Sequence, residues 1–196
     1  MRQNQARRTA LLDAAIEVLA REGSRGLTLR SVDAEAGAPV GTCSNYFRNR
    51  DQLLLQILSR THERIAPDPD QVAETMRAEP SRDLVAHLLR QIRHRMEADR
   101  AGYLAMLELR LEATRRPELG RELTAALSRV LEENVRFHID AGLPGDRVDV
   151  VLLYLAVHGM NLDDLTVPAV LAPYRDDDLI GELVRRLLPD KEETPA

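Results

Sequence analysis

Residues 28–50 read TLRSVDAEAGAPVGTCSNYFRNR, and this stretch decides the fold. Thr28 is a helix-capping residue, and Leu29, Val32 and Ala36 then recur on one face of a short helix that Gly37 ends. After the break at Gly37-Ala38-Pro39 the spacing predicts another short helix, from about Val40 to Phe47, running into a polar corner at Arg48-Asn49-Arg50. Two short helices joined by a tight glycine-containing turn have the layout of a helix-turn-helix, here over about residues 28–47. The second helix of that motif can lie in the major groove of DNA.

Outward from this core, helical periodicity runs almost throughout and no strand pattern of useful length appears. Before it, Leu12, Ala15, Ile16 and Leu19 fit a helix from about Arg8 to Glu22, with Gly23 as its C-cap. After it, Asp51 lies in the first turn of a helix carrying Leu53, Leu54, Ile57 and Leu58, which Ala66-Pro67-Asp68-Pro69-Asp70 breaks. Further helices are expected from Pro80-Ser81 to about Met96, from about Gly102 to Ala113, and from Pro117 to about Ala141. Two more cover about Arg147 to Leu162 and Asp176 to Leu188, and the tail from Pro189 is polar. The expected fold is all-α, cut into a head of residues 4–64 and a helical body of residues 65–190.

Composition narrows the function classes. The chain has 196 residues, 44% hydrophobic and 30% charged, which fits a folded globular protein rather than a disordered one. No apolar run approaches the roughly 20 residues that span a bilayer, and the basic N-terminus lacks a signal-peptide core, so a cytoplasmic protein is expected. Cys43 is the only cysteine, so no internal disulfide can form. The formal charge of −5 is unevenly spread: residues 1–50 hold eight arginines against five acids, a net of +3, leaving −8 for the remainder. A basic head on an acidic body suits phosphate contact at one end.

The 147–162 stretch is apolar on most sides, and a helix of that kind must be buried on most sides. Gly159 permits close approach of a second helix. Either these helices form the body's own core, or Val151, Leu155, Gly159, Leu179, Leu183 and Leu187 pack against a second copy in a two-fold homodimer. Reading two half-sites of a DNA operator requires such a dimer.

The N-terminal residues resemble the TetR family of bacterial transcription regulators. The resemblance rests on Leu11-Leu12-Asp13-Ala14-Ala15, Gly23, Leu27-Thr28-Leu29-Arg30, Ala36-Gly37, Gly41-Thr42, Tyr46-Phe47, Arg50-Asp51 and Leu53, all at the family's spacing over about residues 6–58. It implies a homodimer that binds a palindromic double-stranded DNA operator, most often as a repressor, and a helical body that receives a small-molecule effector. Binding of that effector changes the spacing of the two heads and releases the DNA, which requires that the ligand prefer the spacing that does not fit. Five positions depart from the pattern, one of them Ala38, where valine is usual. Asp33 stands where the family has alanine, Pro39 where a serine or threonine caps the recognition helix, Ser44 where an aromatic is usual, and Cys43 where leucine is. Losing the cap forgoes about 1 kcal/mol.

Within this frame Thr42, Ser44 and Asn45 offer hydroxyl or amide groups to bases or phosphates, asparagine being a good bidentate partner for adenine. Pro39 and Val40 open the recognition helix and either meet a thymine methyl or only shape the turn. Thr28 and Arg30 match family positions that touch backbone and base, Arg50 matches the family's basic phosphate contact, and Tyr46 either reaches a phosphate or packs. Arg2, Arg7 and Arg8 form a basic arm or a plain flexible tail. Cys43 reads as buried packing rather than a redox sensor. Phe47 reads as core.

Elsewhere the chemistry is sparse. The five histidines show no metal spacing, and no nucleophile-base pair or glycine-rich phosphate loop appears, so neither an enzyme, a metal site nor a cofactor is expected. The effector candidates are polar or bulky residues amid apolar faces of the body: Gln91, Arg95, Tyr103, Met106, Arg110, Asn134, Phe137, Tyr154 and His158. With aromatics at 3%, a mainly aliphatic pocket and a moderately apolar effector are expected. The competing reading is a helical binding or scaffold protein that has lost its affinity for DNA.

Overall fold

A computed structural model describes residues 2–174 and 178–188, with side chains from Gln5 onward. The polar tail, the first two residues expected in the last helix and the side chain of Arg2 lie outside the described residues. Every regular element among the described residues is helical, nine α-helices and two short 3-10 turns, in agreement with the all-α expectation. The chain divides into two compact units, Met1–Ala66 with Asp99–Ala126, and Pro67–Ala98 with Leu127–Ala196. Residues 99–126 pack with residues 1–66, so the compact units are not contiguous in sequence.

The first unit contains α1 (Arg2–Gly26), α2 (Leu29–Glu35), a 3-10 turn (Cys43–Asn45) and α3 (Arg50–Ile65). It also takes α6 (Arg100–Ala113) and the start of α7 (Pro117–Asp140). Helix α1 kinks at Gly23, whose φ of 66° is left-handed, where a C-cap is expected. Leu11, Ala15, Ile16 and Leu19 of α1 are buried along with Val32, Phe47, Leu53, Leu54 and Ile57. Helix α6 adds buried Ala105 and Leu109 to this unit and packs on α1, which is why the segment joins the head. Two pairs with partly exposed members pin the polar side of α3: Arg60 Nε donates to Asp13 at 2.8 Å, and Arg64 Nε to Asp99 at 2.9 Å. Such pairs contribute little to stability one by one, and apolar burial dominates.

The second unit contains α4 (Pro69–Thr75), α5 (Arg82–Ala98), most of α7, α8 (Arg147–Thr166), a 3-10 turn (Ala172–Tyr174) and α9 (Leu179–Leu187). Helix α4 lies where a break is expected. Asp68 caps it by accepting from the Asp70 N–H at 2.9 Å, and Pro69 occupies its first turn, so the same residues that end α3 start a new helix. Leu84, Val85, Leu153, Ile180 and Val184 form the unit's core with Leu143 and Leu188. Asp178 starts α9, accepting from Gly181 at 3.1 Å while pairing with Arg90 at 2.5 Å. These two contacts, the arginine first, hold its carboxyl below the usual range.

Helix α8 is not buried on most sides within the chain. Val150, Leu153 and Val157 face the core, but Val148, Leu152, Leu155 and Leu162 are exposed, Leu155 by 58%.

Candidate nucleic-acid interface

The helix-turn-helix builds upward from Thr28. Its hydroxyl accepts from the Ser31 N–H at 3.0 Å, and Ser31 Oγ accepts from the Thr28 N–H at 2.9 Å. This reciprocal cap fixes the start of α2 and leaves Arg30 exposed on its first turn. Helix α2 ends at Ala36, whose N–H bonds Val32 O at 2.9 Å, and Gly37 turns the chain.

The segment after the turn is not the α-helix expected from Val40 to Phe47. Residues 40–42 form a turn, and only Cys43–Asn45 is helical, as a 3-10 turn. The cause lies in the residues themselves. Gly41 sits at φ 91°, outside any right-handed helix. The Thr42 and Ser44 hydroxyls donate back to Pro39 O at 2.6 Å and Gly41 O at 2.7 Å, competing with an α-helical backbone ladder. Bonds from Thr42 N to Pro39 O and from Asn45 N to Thr42 O, both 3.0 Å, close the tighter geometry instead.

Asp33 ties this segment to α2. It is 1% exposed, and its carboxylate accepts from the Gly41 N–H at 2.7 Å and from the Cys43 N–H at 2.6 Å. In sequence Asp33 is only a departure from alanine; the signal of its role is that Pro39, six residues on, carries no capping group.

Pro39, Val40, Ser44 and Asn45 are exposed, Val40 by 77%, while Thr42 and Tyr46 are half-buried. Asn45 presents its side-chain amide to solvent, with no partner among the described residues. Phe47 is fully buried, and the Arg8 guanidinium lies 5.2 Å from its ring centre while donating to Gln56 at 3.0 Å. Arg8 is therefore anchored on α1 rather than part of a loose arm; Arg7 is exposed on the same helix. Cys43 is buried. Desolvation, aided by the charge of Asp33, pushes its thiol up to about 11. That is the opposite of a reactive thiolate's setting.

Arg50 points inward in this structure. Its guanidinium donates to the carbonyl of buried Ser24 and to the Ser24 hydroxyl at 2.5 Å, and lies 4.0 Å from Glu112. Burial disfavours the charge on Glu112, but hydrogen bonds from Arg116 and Ser24 and the charges of Arg116 and Arg50 outweigh it and lower its pKa. Arg116 also pairs with Asp51. These arginines, with Ser24, Arg25, Leu27, Thr28 and Glu112, line a cleft of about 600 Å³. Ser24 and Glu112 lie 26 and 62 positions from Arg50, too far for local pattern to connect them.

The effector candidates fall in both units. Tyr103 and Met106 are buried on α6 with Arg110 half-buried, all in the first unit. In the second, Asn134 and Phe137 are exposed on α7, and the Tyr154 and His158 rings meet on α8 at a tilt of 39° with centres 4.1 Å apart. Gln91 donates to Thr75 Oγ1 at 2.9 Å. Arg95 keeps a buried Nε with no hydrogen-bond partner, and desolvation lowers its pKa. Among the dimer candidates Leu155 and Gly159 are exposed, whereas Val151, Leu179, Leu183 and Leu187 are half-buried. No group of His, Cys, Asp and Glu among the described residues could hold a metal ion. No helix among them is long and apolar enough to cross a membrane.

Comparison with known proteins extends beyond the head. Residues 11–57 match the model for bacterial regulatory proteins of the tetR family, and residues 80–190 match the tetracyclin repressor-like C-terminal domain. The HTH-type transcriptional regulator BetI of Agrobacterium fabrum is 28% identical over 140 residues, 71% of this chain. The HTH-type nicotine-responsive transcriptional repressor HdnoR of Paenarthrobacter nicotinovorans is 32% identical over 122 residues, 58% of this chain. The chain spans 66% and 58% of those two proteins, less than two thirds of either. Among solved structures, the multidrug binding protein EbrR complexed with imidazole is 29% identical at a TM-score of 0.66, covering 97% of both chains. A TetR family member from Streptomyces coelicolor A3 is 28% identical at a TM-score of 0.69, covering 94% of this chain and 99% of its own. With its N-terminal helix-turn-helix and C-terminal domain both matched, the chain belongs to the TetR family of bacterial regulatory proteins.

Proposed function

We propose that the protein is a DNA-binding transcriptional regulator, a repressor that holds a palindromic operator as a homodimer and leaves it when a small-molecule effector binds. The observation that carries this reading is that Arg30, Val40, Ser44 and Asn45 are all exposed in a helix-turn-helix whose second segment is tied to α2 by the buried Asp33 carboxylate. Thr42, Ser44 and Asn45 keep acceptor or amide groups for base edges, Val40 and Pro39 suit a thymine methyl, and Thr28, Arg30 and Tyr46 suit the backbone. Arg50 serves as a phosphate contact only if it leaves Ser24 on binding.

Dimerisation is supported by α8. Val148, Leu152, Leu155 and Leu162 form an exposed apolar stripe, and a methyl group built on Gly159 would meet nothing within 4 Å. Such a stripe on a monomer marks an interaction surface. The effector reading draws support from Arg95, a buried donor lacking a partner, and from the relatives, since HdnoR is named as nicotine-responsive and EbrR is solved with ethidium. A pool of random-core duplexes enriched on the protein tests the reading. It should yield a near-palindrome bound by two chains, whereas a pool that never departs from random sequence refutes it.

A further inference from the structure

We propose that Asp33 is the positioning residue of the DNA-reading segment, acting from α2 as the acceptor for the Gly41 and Cys43 amides that the Pro39 side chain cannot supply. The inference rests on the DNA-binding reading above. A cap works by offering an oxygen to backbone N–H groups two or three residues onward, and a proline side chain has no such oxygen. Thr42, which directly precedes the 3-10 turn, supplies no side-chain cap either. Yet the N–H groups of Gly41 and Cys43 are not orphaned, because each meets one carboxylate oxygen of Asp33, at 2.7 and 2.6 Å. The Asp33 carbonyl also accepts from Ala38 at 2.9 Å, so three amides between residues 38 and 43 converge on one residue.

The energetics make this a constraint rather than a convenience. A carboxylate 1% exposed is costly unless its oxygens are satisfied, and no ion pair reaches Asp33 among the described residues. The two amides are what satisfies it, so moving either one away uncovers a buried charge. Thr42 lies between those amides, and Ser44 and Asn45 follow directly. Their side chains are therefore held in register with α2 by a bond that none of them makes. Groups that read bases must be placed to within about 0.5 Å, so the register acts on specificity more than on general affinity for phosphate.

The test compares Asp33→Ala, Asp33→Asn, Pro39→Ser and the Asp33→Ala/Pro39→Ser double variant, all in the full chain. The probes are a duplex selected on the wild-type protein and an unrelated duplex of equal length. Asp33→Ala and Asp33→Asn should each weaken binding to the selected duplex by about tenfold or more, because an asparagine amide turns one acceptor into a donor facing an N–H. Binding to the unrelated duplex should stay within about twofold. Pro39→Ser should recover part of the loss in Asp33→Ala, because a serine hydroxyl can accept from the Gly41 amide two residues on.

Hydrogen exchange on the unliganded wild-type protein needs neither a variant nor DNA. The Gly41 and Cys43 amides should exchange about a hundredfold more slowly than that of Val40. Exchange of Gly41 at the rate of Val40 would overturn the proposal, as would an Asp33→Ala variant that keeps selected-duplex affinity or loses affinity equally on both duplexes. Because the exchange readout is independent of DNA, slow Gly41 and Cys43 amides in a protein that selects no duplex would place the failure in the DNA-binding reading instead.

Discussion

Replacing Arg50 by alanine separates two roles for one side chain. Family resemblance assigns it to a phosphate, whereas in this structure its guanidinium donates to the carbonyl and hydroxyl of Ser24 and faces Glu112 at 4.0 Å. Ser24 is buried, so removing the guanidinium leaves its carbonyl without a charged donor. A hydrogen bond to a charged group contributes about 1.5–3 kcal/mol, and the lower end applies because the Arg50 side chain is 33% exposed. The Glu112 contact is too long to add much. A loss of about 1.5 kcal/mol lowers the melting temperature of a chain of this size by about 3–6 °C, which circular dichroism at the helix band resolves. A phosphate contact predicts something else: unchanged melting, and a slope of log affinity against log salt shallower by about 0.9. An Arg50→Ala variant that melts with the wild type and shows that shallower slope refutes the inward assignment.

Three other expectations follow from the same structure. Glu112 has a lowered folded pKa, so its contribution to stability is present above the ordinary carboxyl value of 4.5 and is lost as pH falls through the folded value. Urea titrations of wild type and Glu112→Gln below pH 4.5 should show that the variant lacks this part of the acid destabilisation, and parallel pH curves would exclude the role. With its thiol pushed up to about 11, native Cys43 is thiolate to about one part in a thousand at pH 8. A thiol reagent at that pH should therefore label it only after unfolding, and rapid native labelling would contradict its burial. Leu155→Glu places a charge on the exposed stripe of α8 and should convert a dimer to a monomer in sedimentation equilibrium; a persistent dimer would put the interface elsewhere.

Much of the fold was legible because its punctuation is local. Thr28 as a cap, Gly37 as a stop and Pro117 as a start each act through their own backbone geometry, and the observed helices begin and end within a few residues of them. Two elements depart from their local pattern for local reasons. Pro69 follows a capping aspartate and therefore opens a helix instead of only ending one. Gly41, followed closely by the Thr42 and Ser44 hydroxyls, turns the expected recognition helix into a 3-10 turn. The contacts that organise the candidate interface are non-local. Asp33 reaches residues 8 and 10 positions onward, and Arg50 reaches Ser24 and Glu112 across the fold. Periodicity has no access to such pairs. The apolar character of α8 was visible, but which of its faces the chain leaves uncovered depends on α5 and α9.

Whether residues 28–50 read DNA is tested most directly by a fluorescence anisotropy titration against DNA from around the protein's own gene, at low and at physiological salt. Binding to a near-palindrome is expected with an affinity of about 10⁻⁸ M or tighter, weakening as salt rises while unrelated DNA binds far less well. Absence of binding to any of these fragments even at low salt would contradict a DNA-reading role.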